Sequence, residues 1–81
     1  MQYEMETLKV KLNTIDEAAN FVRIMSHCDG KAVILLDSGW INAKSILGVL
    51  SLDLTKPLAL KLSQKPDKNV LSQLRRWVIA A

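Results

Sequence analysis

Lys31-Ala-Val-Ile-Leu-Leu-Asp37-Ser38-Gly39-Trp40-Ile41-Asn42 is the stretch on which the fold turns. Residues 31 to 37 form a short, β-branched apolar run bounded by turn residues, too brief for a helix, which predicts a central strand. Asp37-Ser38-Gly39 has the chemistry of a hairpin turn, and Trp40-Ile41-Asn42 returns as a short partner strand. The pairing is therefore antiparallel.

On the N-terminal side, Leu8-Lys-Val-Lys-Leu12 alternates apolar and charged residues, the period-two pattern of a strand with one buried face. This strand is expected to begin near Tyr3 and to stop at Asn13-Thr14. Thr14-Ile15-Asp16-Glu17 then has the spacing of a capping box. Ile15, Ala18, Val22 and Met25 recur at helical spacing, with Ala19 and Phe21 widening the stripe and Asp16, Asn20 and Arg23 facing outward. Gly30 can take the left-handed conformation where this helix ends, around Ser26 to Asp29.

On the C-terminal side, polar residues 42 to 45 stand in front of Ile46-Leu-Gly-Val-Leu-Ser-Leu52, and residues 53 to 57 stop it. A capped short helix is expected there. Leu58 to Leu62 reads as another strand. Val70, Leu71, Leu74, Trp77 and Val78 mark a final amphipathic helix, with Pro66 in its first turn. The order is β-α-β-β-α-β-α, an α+β fold in which helices on one face of a single antiparallel sheet bury the apolar side of both.

The 81 residues, residues 1–81 in full, suit a single domain. At this mass folding buries about 63% of the unfolded surface, enough for one core without staples. Hydrophobic residues at 49% and charged residues at 23% exclude a disordered chain. A single cysteine, Cys28, forms no intrachain disulfide and suits a reducing compartment. The chain has neither a membrane-length apolar run nor a secretory-type start, so a cytoplasmic location is expected and no membrane partner. Charge is uneven: residues 1 to 40 carry six acids against four bases, whereas residues 41 to 81 carry seven bases against two acids. The bases are mostly single, and Tyr3, Phe21, Trp40 and Trp77 stand outside any basic cluster along the chain. A solvated basic face is expected, with no nucleic-acid partner.

Within that element order, Asn42-Ala-Lys-Ser-Ile-Leu-Gly-Val-Leu-Ser-Leu52 resembles the HPr family, the phosphocarrier proteins of the bacterial sugar phosphotransferase system. Ala18-Ala-Asn-Phe-Val22 is similar to the family's first helix, and the likeness extends over residues 4 to 80. It implies an HPr-like open-faced β-sandwich: a four-stranded antiparallel sheet with three helices on one face. The family relays phosphoryl groups through a histidine in Gly-Leu-His-x-Arg-Pro-Ala, just before the first helix. Here Thr14 falls near the histidine, Asp16 at the arginine and Glu17 at the proline. A relay needs a labile phosphoramidate, and two carboxylates would repel a phosphate that arginine would clamp. Phosphocarrier activity is therefore not expected, nor any catalytic residue.

Ser45 matches the family's second site, a serine that HPr kinase/phosphorylase modifies with ATP as a regulatory mark in low-GC Gram-positive bacteria. Its hydroxyl at a helix start, beside unpaired amides and Lys44, suits a phosphate, and N-capping is the rival role. The residues matching Ile46, Leu47 and Leu50 form an apolar docking patch in relatives, flanked by one matching Arg23. The resemblance thus implies a non-enzymatic phosphoacceptor, without the phosphorelay histidine, that binds a catabolite-control transcription regulator. A degenerate module that binds proteins or self-associates through the same patch, without phosphorylation, is the alternative. No cofactor is expected. His27 and Cys28 are read as helix-end residues without a metal, because no second ligand cluster accompanies them.

Overall fold

The computed structural model describes residues 6–80. Its elements are β1 (Glu6–Val10), α1 (Ile15–Ser26), β2 (Ala32–Leu36), β3 (Gly39–Asn42), α2 (Ile46–Leu50), β4 (Leu58–Leu62), α3 (Lys68–Leu74) and β5 (Val78–Ala80). The five strands form one antiparallel sheet in the order β3-β2-β4-β1-β5. The α+β class and the four expected strands are present. The expected count of four is corrected to five by β5, and the expected start near Tyr3 lies outside the described residues.

Alternation decides which side of the sheet is covered. Leu8 and Val10 of β1, Ala32 and Ile34 of β2, and Leu58, Leu60 and Leu62 of β4 are all buried. Leu60 pairs with both Leu8 and Ile34, so it sits at the centre of this apolar face. The helices meet it with Ala18, Phe21, Val22, Ile24 and Met25 from α1, Val49 from α2, and Val70 and Leu74 from α3, in one continuous core. Each large side chain enclosed this way contributes about 1.5–3 kcal/mol. The residues between, such as Lys9, Leu35 and Trp40, stay exposed on the other face.

The ends of α1 follow local chemistry. Thr14 Oγ1 accepts from the Glu17 amide at 3.0 Å, and Glu17 Oε1 accepts from the Asn13 amide at 2.9 Å, one residue ahead of the usual capping-box partner. Gly30 takes φ +78° where the chain turns out of the helix. The buried stripe is rotated from the expected one: Ile15 and Ala19 are exposed, whereas Ile24 is buried. Ile15, the first helical residue, lies at the edge of the packing, and the interface with α3 draws Ile24 inward.

The C-terminal segment departs most from expectation. Asp67 caps α3 by accepting from the Val70 amide at 2.8 Å, so Pro66 lies buried just ahead of the cap and outside the first turn. The helix ends at Leu74. Trp77 then turns into the core, where its ring meets Phe21 edge-on with centroids 6.0 Å apart. Its carbonyl accepts from the Lys11 amide at 2.9 Å, and the following residues pair with β1 as β5. Among the described residues, no helix is long and apolar enough to cross a membrane.

Candidate functional site

The loop before α2 is fixed by short backbone contacts. Ala43 is fully buried, and its amide donates to the Ala32 carbonyl at 2.8 Å. Asn42 Oδ1 accepts from the Lys44 amide at 2.9 Å, and the Asn42 carbonyl accepts from the Ser45 amide at 3.0 Å. Ser45 is thereby set as the N-cap: its Oγ accepts from the Gly48 amide at 3.2 Å. The residue is half-buried. A side chain at position 48 would press on that hydroxyl at 3.3 Å, so the glycine leaves Ser45 its room.

Lys44 does not sit beside the hydroxyl as a counter-charge. Its Nζ donates to the carbonyls of Cys28 and Gly30 at 2.7 and 2.8 Å, closing the C-terminal end of α1. Cys28 is buried there, and desolvation raises its thiol pKa although the Lys44 charge opposes the rise. His27 caps the same helix end and is exposed. Among the described residues, no cluster of three or more potential metal ligands occurs.

α2 is shorter than the residues 46 to 52 expected, and it divides its apolar side chains between inside and outside. Val49 is buried and Leu52 packs partly against the core, whereas Leu47 is 80% exposed, Ile46 39% and Leu50 38%. A two-turn apolar run cannot all face inward, and the overflow forms a patch next to Ser45. Thr14, expected from the resemblance near the HPr histidine, is occupied as the cap of α1. Asp16 is exposed, and Glu17 is held to the Asn13 amide. Arg23 is exposed, donates from Nη2 to Asn20 Oδ1 at 3.4 Å, and lines a small depression between α1 and α3 with Ile24, Ser72, Gln73 and Arg76.

A second feature was not visible from sequence order. A groove of about 590 Å³ runs over the open face of the sheet, walled by Val33, Leu35 and Trp40 and bordered by Lys31, Lys44 and Lys61. The signal that finds it is register: once one face of β2 and β3 is known to be buried, Val33, Leu35 and Trp40 are apolar at outward positions.

In comparisons with protein-family models, with curated proteins and with solved structures, the chain finds no match.

Proposed function

We propose that this chain is an HPr-like regulatory protein without the phosphorelay histidine: a non-enzymatic phosphoacceptor at Ser45 and a protein-docking module serving sugar phosphotransferase and carbon catabolite control. The observation that carries this reading is the aliphatic patch beside a partly accessible serine hydroxyl, with Leu47 80% exposed. Burial of the patch supplies affinity, and a phosphate of about −1.5 to −2 charge supplies the switch. The Ser45 hydroxyl accepts a hydrogen bond and so keeps its own proton, which passes to the kinase's base as the γ-phosphoryl of ATP moves to Oγ and ADP leaves. With the Lys44 ammonium engaged at the end of α1, the partner must bring the cations that pair with the phosphate, and arginine is best suited to that. A transcription regulator of the catabolite-control type is the expected partner, and the cytoplasm the expected compartment.

Incubation with purified HPr kinase/phosphorylase and ATP tests this by intact mass. One phosphate is expected, and it should vanish in Ser45→Ala. Ser45→Asp keeps a good N-cap and should be equally unmodified, which separates loss of the acceptor from loss of the helix. No incorporation under conditions that modify a true HPr would overturn the assignment. The same exposed patch supports the alternative in which the module binds proteins, or a second copy of itself, without phosphorylation.

A further inference from the structure

The open face of the sheet carries a second arrangement, independent of Ser45. Strand pairing places Trp40, Leu35, Ala59 and Lys9 in one cross-strand row and Asn42, Val33, Lys61 and Thr7 in the next. Trp40 is 65% exposed and Leu35 40%, so an indole and its aliphatic neighbours lie open to water where strand alternation usually places polar residues. The groove over them is bordered by Lys31, Lys44 and Lys61, with no Asp or Glu in its lining. Lys44 spends two of its three N–H donors on the Cys28 and Gly30 carbonyls, leaving one donor.

We infer that this face is a platform for single-stranded nucleic acid. The expectation of a merely solvated basic face rested on aromatic and basic residues being far apart along the chain. Folding brings Trp40 together with Lys31 ahead of β2, Lys44 after β3 and Lys61 of β4. A flat, sequence-tolerant aromatic surface takes an unstacked base by its π-face, and lysines spaced around it meet the phosphates on either side. A duplex hides its base faces and leaves the indole unused. An acidic peptide satisfies the lysines but meets Trp40 with a planar group only where an aromatic side chain falls in register, whereas every nucleotide carries one. The groove volume lies in the range that encloses a ligand of nucleotide size. Ile41 of β3 points the other way, toward Gly48 of α2, so the platform and the α2 patch lie on opposite faces of the sheet.

The test is titration of the full chain with a labelled oligouridylate of about ten nucleotides, a length within single-strand site sizes. Trp77 is buried, so a change in intrinsic fluorescence reports on Trp40. Quenching is expected, with affinity falling about tenfold between ~50 and ~200 mM salt for two to three phosphate contacts. By anisotropy of the labelled strand, Trp40→Ala should weaken binding about tenfold or more while Trp40→Phe largely restores it. Lys61→Glu should weaken it as well. Leu47→Asp, on the other face, should leave it unchanged. The inference is overturned by no binding, by salt-insensitive binding, by a Trp40→Ala variant that binds like the parent, by uridine monophosphate binding as tightly as the oligomer, or by polyglutamate competing on equal terms. None of these outcomes bears on Ser45 phosphorylation.

Discussion

Gly30 shows how much one residue decides. At φ +78° its backbone suits glycine, and an added Cβ would fall 2.5 Å from Ser63 Oγ and 2.9 Å from Gln64 Cγ. Ser63 cannot simply yield, because its Oγ accepts from the Lys31 amide at 2.7 Å and its own amide donates to the Lys31 carbonyl at 2.9 Å. The left-handed conformation alone costs a side chain about 1–2 kcal/mol. In a domain of this size, Gly30→Ala should lower Tm by roughly 5–15 °C in a circular-dichroism melt. A melt superimposable on the parent would show that the turn relaxes and the contact is unimportant. The Thr14 and Ser45 caps were legible in the sequence because each joins residues three apart, and Gly30 because a glycine just past a helix marks a left-handed turn, whereas its contact with Ser63 and Gln64 was not. The rotation of α1 that exposes Ile15 and buries Ile24 was not. It is set by what α3 and the sheet present, and no helical period contains that.

At the scale of elements, the C-terminal segment is the instructive failure. Leu74, Trp77 and Val78 keep helical spacing, so periodicity extends α3 by a turn that the structure does not form. Two interactions outweigh the pattern: Trp77 packs its ring on Phe21, and its carbonyl receives the Lys11 amide. The β-branched pair Val78-Ile79 was the local hint of a strand, but a strand of three residues is too short to show a period. The two arrangements predict different mutational costs. Trp77 is 3% exposed, and Trp77→Ala should cost about 3–5 kcal/mol, read as a fall of roughly 1–5 M in the urea midpoint. Leu71, 39% exposed, should cost under about 1 kcal/mol when changed to alanine. Similar costs at the two positions would favour the longer helix and remove β5 as an independent element.

For the molecule as a whole, the sheet divides the two candidate surfaces, with the α2 patch on the helical side and the Trp40 groove on the open side. The patch was half legible, since seven residues of nearly continuous apolar sequence overfill the inner face of a short helix. Which members stay outside depended on Ile41 and the core, and the direction of Lys44 depended on carbonyls sixteen and fourteen residues away. Whether the patch is used can be separated from whether it supports the fold, because Leu47 is 80% exposed. An exposed position away from caps and core normally changes stability by no more than about 0.5 kcal/mol, so Leu47→Asp should melt like the parent. It places a charge at the centre of a surface that must be desolvated on docking, a cost no rim contact recovers. Binding of the Ser45-phosphorylated protein to a catabolite-control regulator should therefore be lost in a pull-down, although Ser45 itself is still phosphorylated. Light scattering after size exclusion divides the two uses of the patch. A parent dimer that Leu47→Asp converts to monomer assigns the patch to self-association. A parent that is monomeric throughout leaves the patch to a different protein, and regulator binding unaffected by Leu47→Asp would move the docking surface away from α2 altogether.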